Sequence, residues 1–162
     1  MTSDEKAQLI LRALSGEHLH GFLPGNDHKA AVAHAVSGYH GWGGTGLWGQ
    51  VTRKGIGLYE SIEGTRDERN AVVMITWREV FEVVAKGCND GNRERYEAAF
   101  EAWNEHHRRF PAWDPQRRTR RTQEEIVEKQ EDYGRVTDAI HDTTRAIITA
   151  GCSREPIQAA LW

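Results

Sequence analysis

The first predicted element is an amphipathic helix near the start of the chain. Thr2 and Glu5 have the spacing of a capping box, in which each side chain accepts a hydrogen bond from the other residue's backbone N–H. Apolar residues then recur at spacings of three and four, which places them on one side of a helix. These residues are Ala7, Ile10, Leu11 and Leu14. Gly16 marks the predicted end of this helix.

The following segment predicts a loop and then a second, short helix. Glycines and a proline interrupt any regular pattern over residues 17–27, so we expect a loop that Phe22 and Leu23 anchor to the core. Asp27 can cap a helix over residues 29–39, in which small apolar residues form a packing face. The glycines that follow cannot continue this helix, so it is expected to end there.

After residue 46 the spacing of apolar residues changes from that of a helix to that of strands, which predicts a small antiparallel sheet. Residues 47–52 and 56–59 are strand-like runs on either side of the sequence RKG, and Gly55 can take the positive φ that a three-residue turn requires. The apolar run AVVMI, residues 71–75, predicts a buried third strand. We therefore expect a two- or three-stranded antiparallel sheet.

A helix is predicted directly after the last strand. Thr76 and Glu79 form a second capping box, and the helix is expected to run until Gly87. Its apolar positions again recur at spacings of three and four, which predicts one packed face. They are Trp77, Val80, Phe81 and Val84.

The second half of the chain has the pattern of two longer helices. Aromatic residues recur on one face of the first, which should end near Phe110 because Pro111 disfavours helix in the residue before it. The residues of that face are Tyr96, Phe100, Trp103 and His107. Thr122 and Glu125 can start the second helix. In that helix large apolar residues recur every seven positions, at Ile126, Tyr133, Ile140 and Ile147.

These elements predict an α+β fold in which helices pack on a small antiparallel sheet and a C-terminal antiparallel helical hairpin follows. Residues 1–87 are expected to form the α+β module and residues 88–162 the helical extension. The heptad spacing also admits a homodimeric coiled coil, although its alternate positions are polar and Gly134 interrupts the helix. A last short helix is expected after Pro156.

Composition favours a protein of the cytoplasm. The chain has 162 residues, of which 38% are hydrophobic and 28% charged, with a net charge of -3. Because no apolar run approaches the length of a membrane span and no export signal follows Met1, we expect neither membrane insertion nor secretion. The two cysteines have no CxxC spacing, which predicts free thiols in a reducing compartment.

The sequence contains no pattern that predicts a cofactor, a metal site or a catalytic nucleophile. His28, His34 and His40 are spaced by six, a spacing that does not bring histidines together on a helix. The glycine-rich stretch WGGTG lacks the lysine and hydroxyl of a phosphate-binding loop. Tyr39, His40 and Gly41 resemble the HG-type motif of ADP-ribosyltransferases, which leaves a small transferase with Glu60 or Glu63 as an enzymatic alternative.

Charge is distributed unevenly, and this predicts a binding site. Residues 104–123, which we call the arginine elbow, contain six arginines against two acids, a local net charge of +4. The candidate binding residues are Arg108, Arg109, Trp113, Arg117, Arg118, Arg120 and Arg121. Guanidinium groups suit phosphate oxygens and aromatic faces suit unpaired bases, so the elbow favours nucleic acid. An acidic protein partner is a second reading. A third is a solvated linker in which the arginines of RRTRR, residues 117–121, pair with the acidic face of the last helix, at Glu124, Glu125, Glu128, Glu131 and Asp132.

One segment of the chain resembles a known family. A helix followed by GYHGWGGTG, VTRKGIGLYES and VVMITWREVFEVV is similar to a segment of the large helicase–methyltransferase proteins of bacterial conjugative elements and phages. The matching residues are Tyr39, Gly43, Gly44, Lys54, Gly55, Ile56, Thr76, Trp77 and Val80, within residues 28–86. The chain lacks the Walker A motif and the DPPY-like tetrapeptide of those proteins. The resemblance therefore implies a small accessory α+β module and a mobile-element setting without their catalysis.

On this reading the glycine-rich stretch is structural, and the chain leaves a helix and enters the hairpin through it. His40, Trp42 and Trp48 form a possible secondary binding surface. The resulting hypothesis is a non-catalytic interaction protein of a phage or mobile element that contacts nucleic acid, or a nucleic-acid-bound protein complex, through the arginine elbow. The alternatives are a protein-binding inhibitor of a host defence complex and the small transferase.

Overall fold

The computed structural model describes residues 2–14, 16–25, 42–43, 47–60, 71–111 and 121–152. Helix α1 spans Ser3–Ala13, α2 spans Gly16–Leu19, and a 3-10 turn follows at His20–Phe22. The strands are β1 (Trp42–Gly43), β2 (Leu47–Val51), β3 (Gly55–Glu60) and β4 (Ala71–Thr76). Helices α3 (Trp77–Gly87), α4 (Asp90–Arg109) and α5 (Gln123–Cys152) complete the described elements. The helices predicted over residues 29–39 and after Pro156 lie outside the described residues.

The fold is α+β, as the sequence predicts: helices pack on a small antiparallel sheet, and an antiparallel helical hairpin follows. The sheet is a meander in the order β1-β2-β3-β4, and every neighbouring pair is antiparallel. It has one strand more, among the described residues, than the sequence predicts. The additional strand β1 pairs Trp42 with Gly49 and Gly43 with Trp48. Because β1 is only two residues long, it leaves no alternating pattern of apolar and polar residues in the sequence.

The turn between β2 and β3 is fixed by Thr52. Its hydroxyl accepts hydrogen bonds from the backbone N–H groups of Lys54 and Gly55, both at 3.2 Å, and donates to the Gly55 carbonyl at 3.0 Å. Gly55 has the predicted positive φ, +152°. A Cβ there would lie 2.0 Å from the carbonyl oxygen of Ile75, so close approach of β4 also requires glycine at this position.

Both predicted capping boxes are present, at Thr2 with Glu5 and at Thr76 with Glu79. The second box starts α3 directly at the end of β4. The indole N–H of Trp77 donates to the Thr52 carbonyl at 2.9 Å and so ties the start of α3 to the β2–β3 turn. The segment predicted as a loop over residues 17–27 instead begins with α2 and the 3-10 turn, but Phe22 and Leu23 are buried as expected.

One hydrophobic core joins the sheet to the helices. It includes Ile10 of α1, Ile56 of β3, Val84 of α3, Tyr96 of α4 and Ile147 of α5, each fully buried. The helix α5 therefore has two parts. Its C-terminal half lies in this core, whereas its N-terminal half packs along α4. The antiparallel direction of that pairing follows from two contacts, Arg109 with Glu128 and His106 with Asp132.

Candidate functional site

The arginine elbow lies at the end of the helical hairpin where α4 stops and α5 starts. The last turn of α4 closes when the backbone N–H of Phe110 donates to the His106 carbonyl, and Pro111 follows. The start of α5 is capped as predicted, because the Thr122 hydroxyl accepts from the backbone N–H of Glu125 at 3.2 Å. The helix ends thus bring Arg108 and Arg109, at the end of α4, and Arg121, which precedes α5, to the same end of the hairpin.

Arg108 pairs with carboxylates of its own helix. Its guanidinium donates to Glu101 and to Glu105, both at 2.7 Å. These hydrogen bonds, first from Glu101 and then from Glu105, raise the pKa of Arg108 above its ordinary value. All three side chains are largely exposed, so solvent weakens the pairing but its neutralising effect on the local charge remains.

Arg109 pairs across the hairpin. Its guanidinium forms an ion pair with Glu128 of α5, and the same group lies 4.9 Å from the centre of the Phe110 ring. Arg109 thus contacts the acidic face of α5, although the pairing predicted from the sequence concerned the arginines of RRTRR, of which the structure describes Arg121 alone. Arg108 and Arg109 both have carboxylate partners within the chain, which reduces the charge they can offer to a ligand.

Arg121 is held differently, because its partner is a neutral group. Its guanidinium donates to the Pro111 carbonyl at 2.9 Å and lies 5.9 Å from the centre of the Phe110 ring. Among the described residues, no carboxylate pairs with this guanidinium, and it has further N–H donors. The other candidate residues of the elbow, Trp113, Arg117, Arg118 and Arg120, lie outside the described residues.

The histidine that is buried at this end of the hairpin is His106, whereas the sequence predicts the adjacent His107. The sequence predicts His107 on the packed face of α4, but His107 is exposed and the side chain of His106 is 1% exposed. The ring nitrogen Nδ1 of His106 lies 2.7 Å from the carboxylate of Asp132. Asp132 also pairs with Arg135, and hydrogen bonds from Arg135 and then from His106 lower the pKa of Asp132.

Three aromatic rings line one edge of the hairpin next to the elbow. The ring centres of Trp103 and His107 are 4.4 Å apart, and those of Trp103 and Tyr133 are 5.7 Å apart. Trp103 is half-buried, whereas Tyr133 is 45% exposed and Ile126 is 37% exposed. We call Trp103, His107 and Tyr133, together with the exposed Ile126 two helical turns before Tyr133, the aromatic edge.

The possible secondary surface is described only through its backbone. Trp42 lies in β1 and Trp48 in β2, where they pair with Gly49 and Gly43, and nothing is described of their side chains. His40 and Glu63 lie outside the described residues. Glu60 ends β3, so the transferase alternative has no described arrangement of side chains behind it.

The described residues show no clustered metal ligands and no activated thiol. Within the ranges that the structure describes, no three His, Cys, Asp or Glu side chains are placed to hold a metal ion. Cys88 and Cys152 are free and half-buried. Burial raises the pKa of each thiol, which keeps it protonated and weakly nucleophilic. Among the helices that the structure describes, none contains an apolar stretch of the length that a membrane span requires.

Comparison with known proteins assigns no family to the chain. No family model matches it, and neither a curated protein nor a solved structure matches it. The resemblance to the helicase–methyltransferase segment therefore stays a prediction.

Proposed function

We propose that this protein is a cytoplasmic, non-catalytic interaction protein of a phage or mobile element that contacts nucleic acid, or a nucleic-acid-processing complex, through the arginine elbow. The observation that carries the proposal is the local charge of +4 in a chain of net charge -3. The resemblance of residues 28–86 supports the mobile-element setting. Electrostatic attraction to phosphates supplies much of the affinity in such contacts.

The arginines of the elbow fall into two groups by the role we assign to them. Arg108 and Arg109 pair with Glu101, Glu105 and Glu128, so their main contribution is to stabilise the end of the hairpin. Arg121, whose partner is a backbone carbonyl, is available to phosphate oxygens. We assign the contact with nucleic acid to Arg121 together with Arg117, Arg118 and Arg120 of the same elbow.

The experiment is a binding titration with labelled single- and double-stranded DNA and RNA at several salt concentrations. The variant with Arg117, Arg118, Arg120 and Arg121 changed to Ala should bind more weakly and with a flatter salt dependence, by about 0.9 in log–log slope for each lost contact to duplex DNA. The matched control changes Arg12, Arg78, Arg95 and Arg145 to Ala. These four arginines are exposed on other parts of the described surface, so the change in net charge is equal.

The control should retain most of the affinity, because its arginines lie outside the elbow. An equal loss in both variants would show that net charge alone governs binding. Absence of salt-sensitive binding to all four nucleic acids would remove direct nucleic-acid contact from the proposal.

A second candidate function, a protein-binding inhibitor of a host defence complex, is favoured by the acidic face of α5. Glu124, Val127 and Glu131 lie on one side of this helix, and Val127 is 42% exposed. Among the described residues, neither Glu124 nor Glu131 has an ion-pair partner. Carboxylates along a helix can imitate the phosphates that such a complex binds.

Co-purification from host lysate with nuclease treatment separates the two candidates. A stoichiometric protein partner that survives the nuclease, and that is lost when Glu124 and Glu131 are changed to Gln, would support the inhibitor. The control is Glu94→Gln on the exposed surface of α4, which should retain the partner. A partner that both variants retain equally would remove the acidic face from this role.

A further inference from the structure

We propose that one face of α5 binds a helix of a partner protein, and that this helix has apolar residues on one side with lysines or arginines beside them. Helical spacing places six residues of the N-terminal half of α5 within about 120° of one another. We call them the open face: Gln123, Ile126, Val127, Gln130, Tyr133 and Gly134. The inference goes beyond the contact with nucleic acid, and it gives the second candidate function a partner of stated chemistry.

The open face is apolar, and no other element covers it among the described residues. Ile126 is 37% exposed, Val127 42% and Tyr133 45%. Farther along the seven-residue repeat of the same helix, Ile140 and Ile147 are at most 1% exposed, because there α5 lies in the core. The side-chain contacts described for the N-terminal half are with α4. Large apolar side chains that are exposed in a cluster are typical of a binding surface.

The shape of the open face favours a helix as its occupant. A Cβ at Gly134 would have no atom within 4 Å, so the backbone of another helix can approach α5 closely there. An open cavity of about 320 Å³ beside Val127 can receive a side chain of that helix. Its lining residues are Gln123, Glu124, Val127, Glu128 and Glu131. The backbone groups of α5 are paired within the helix, so an extended peptide would find no strand edge to pair with.

The charge along one border of the open face determines the chemistry of the occupant. Three carboxylates recur there every seven residues, a spacing that keeps them in line beside a packed helix. We call Glu124, Glu131 and Asp138 the acidic flank. All three are exposed, and none has an ion-pair partner among the residues that the structure describes. Lysines or arginines of the partner would each meet a carboxylate, whereas the same flank repels nucleic acid.

A second copy of the chain is a poorer occupant. The C-terminal half of α5 lies in the core, so two copies in a parallel arrangement would collide, and only antiparallel N-terminal halves could meet. In a symmetric antiparallel pair, each flank of one helix faces the same flank of the other. The two acidic flanks would then oppose each other, and repulsion between like charges disfavours this pairing.

The test measures the binding of labelled peptides to the whole chain by fluorescence anisotropy. The first peptide is an amphipathic helix about three heptads long, with leucines on one side and lysines beside them. The second has glutamates in place of the lysines, and the third has the composition of the first in an order that leaves no apolar side. We expect saturable binding of the first peptide and at least about tenfold weaker binding of the other two.

Removal of the acidic flank tests the charge complementarity. The variant carries Glu124→Gln, Glu131→Gln and Asp138→Asn. It should bind the first peptide about 3- to 150-fold more weakly, the range for the loss of three exposed ion pairs. The matched control makes the same change in net charge at exposed positions of α3 and α4: Glu82→Gln, Asp90→Asn and Glu94→Gln. Its affinity should stay within about twofold of that of the unchanged protein.

Gly134→Gln tests the close approach of the two helices. The Cβ position is open, so the fold should be retained, but the new side chain occupies the space that the partner helix needs. We expect it to weaken binding of the first peptide by about 5- to 150-fold, the range for overpacking. Thermal unfolding of every variant checks that the fold is intact.

The inference is overturned if the first peptide shows no saturable binding, if the acidic-flank variant and its control are weakened equally, or if Gly134→Gln binds as the unchanged protein does. It is also overturned if sedimentation shows a dimer that Gly134→Gln dissociates, since the occupant is then a second copy. If the peptide binds only after Arg117, Arg118 and Arg120 are changed to Ala, the elbow itself occupies the acidic flank. Nucleic-acid binding is measured separately, so the proposed function and this inference can fail independently.

Discussion

Thr143 and Thr144 are adjacent buried threonines in α5 whose hydroxyl groups have different surroundings. The hydroxyl of Thr143 donates to the Ile140 carbonyl at 2.9 Å. That of Thr144 has no hydrogen-bond partner within the part of the chain that the structure describes, although the residue is only 2% exposed. A buried hydroxyl without a partner costs about 1–3 kcal/mol. Thr144 therefore reduces the stability of the core in which it lies.

We predict that Thr144→Val raises the free energy of unfolding by about 1–2 kcal/mol, because valine has nearly the same shape and no hydroxyl to desolvate. Thr143→Val is the matched control. It removes a satisfied hydrogen bond, so it should be neutral or should destabilise by up to about 1 kcal/mol. Urea unfolding of both variants at one pH measures the difference. Equal effects of the two substitutions would contradict the assignment.

His106 and Asp132 predict a pH dependence of stability. The pKa of Asp132 in the folded protein lies below its ordinary value of 3.8, because of hydrogen bonds from Arg135 and then from His106. A depressed carboxylate pKa stabilises the fold above the ordinary value, and this contribution is lost as the pH falls through the folded pKa. Asp132→Asn keeps an acceptor for the ring N–H of His106 but has no charge to titrate.

We expect Asp132→Asn to be less stable than the unchanged protein at pH 7, with the difference shrinking as the pH falls below 3.8. Denaturant unfolding between neutral and acidic pH measures this difference. Asp138→Asn is the control, because Asp138 is exposed on the same helix. A stability difference for Asp132→Asn that stays constant across the pH range would show that its charge is not involved.

At the scale of residues, local pairs could be predicted from the sequence and distant pairs could not. Both capping boxes join residues three positions apart, so their spacing alone predicted them. His106 contacts a residue 26 positions away, and no local spacing predicts that contact. The spacing of Tyr96, Ala99 and Phe110 places His106 on the buried side of α4. The prediction instead followed the larger aromatic residues, whose spacing places His107 on the packed face.

Two glycines determine how α3 packs on α5. A Cβ at Gly87 would lie 1.8 Å from the carbonyl oxygen of Ile147, and a Cβ at Gly151 would lie 1.8 Å from that of Val83. Side chains cannot approach backbone atoms so closely, so the two helices are in contact through their backbones at this point. Both glycines are buried. Gly134, in the same helix as Gly151, has no atom within 4 Å of its Cβ position.

The substitutions Gly151→Ala and Gly134→Ala should therefore have opposite effects. We expect Gly151→Ala to destabilise the protein by more than about 2 kcal/mol, because α3 and α5 must separate to admit the methyl group. Gly134→Ala should stabilise it by about 1 kcal/mol, because alanine favours the helical backbone and meets no neighbour. Thermal and urea unfolding of the two variants measure both effects. Destabilisation by Gly134→Ala would show that the N-terminal half of α5 has a partner at that position.

The sequence predicted where α3 ends but not what its last residue contacts. Gly87 ends the helix as predicted, and its backbone also lies against that of α5, a contact that no pattern in the sequence indicates. A glycine at a helix end fits both roles, and only the position of the second helix distinguishes them. The short strand β1 was missed for a related reason, since its pairing depends on backbone groups and leaves no side-chain pattern.

At the scale of the whole molecule, the first half of the chain depends on α5 for its core. Ile147 and Ile148 are fully buried in the same hydrophobic cluster as Ile10 of α1 and Val84 of α3. The division at residue 87 therefore separates segments of the sequence that share one core. Removal of α5 would expose apolar side chains on α1 and α3 at the same time, and a domain of this size has little stability to lose.

We predict that a fragment of residues 1–87 does not unfold cooperatively on heating and that adding a fragment of residues 88–162 restores a cooperative transition. Circular dichroism at the helix signal measures both states. Gly151→Ala in the second fragment is the control, because it keeps the helix but obstructs its contact with α3 and should weaken the restoration. A cooperative transition of the first fragment alone would show that the α+β module is an independent domain. The arginine elbow would then be carried by an extension that the fold of the module does not require.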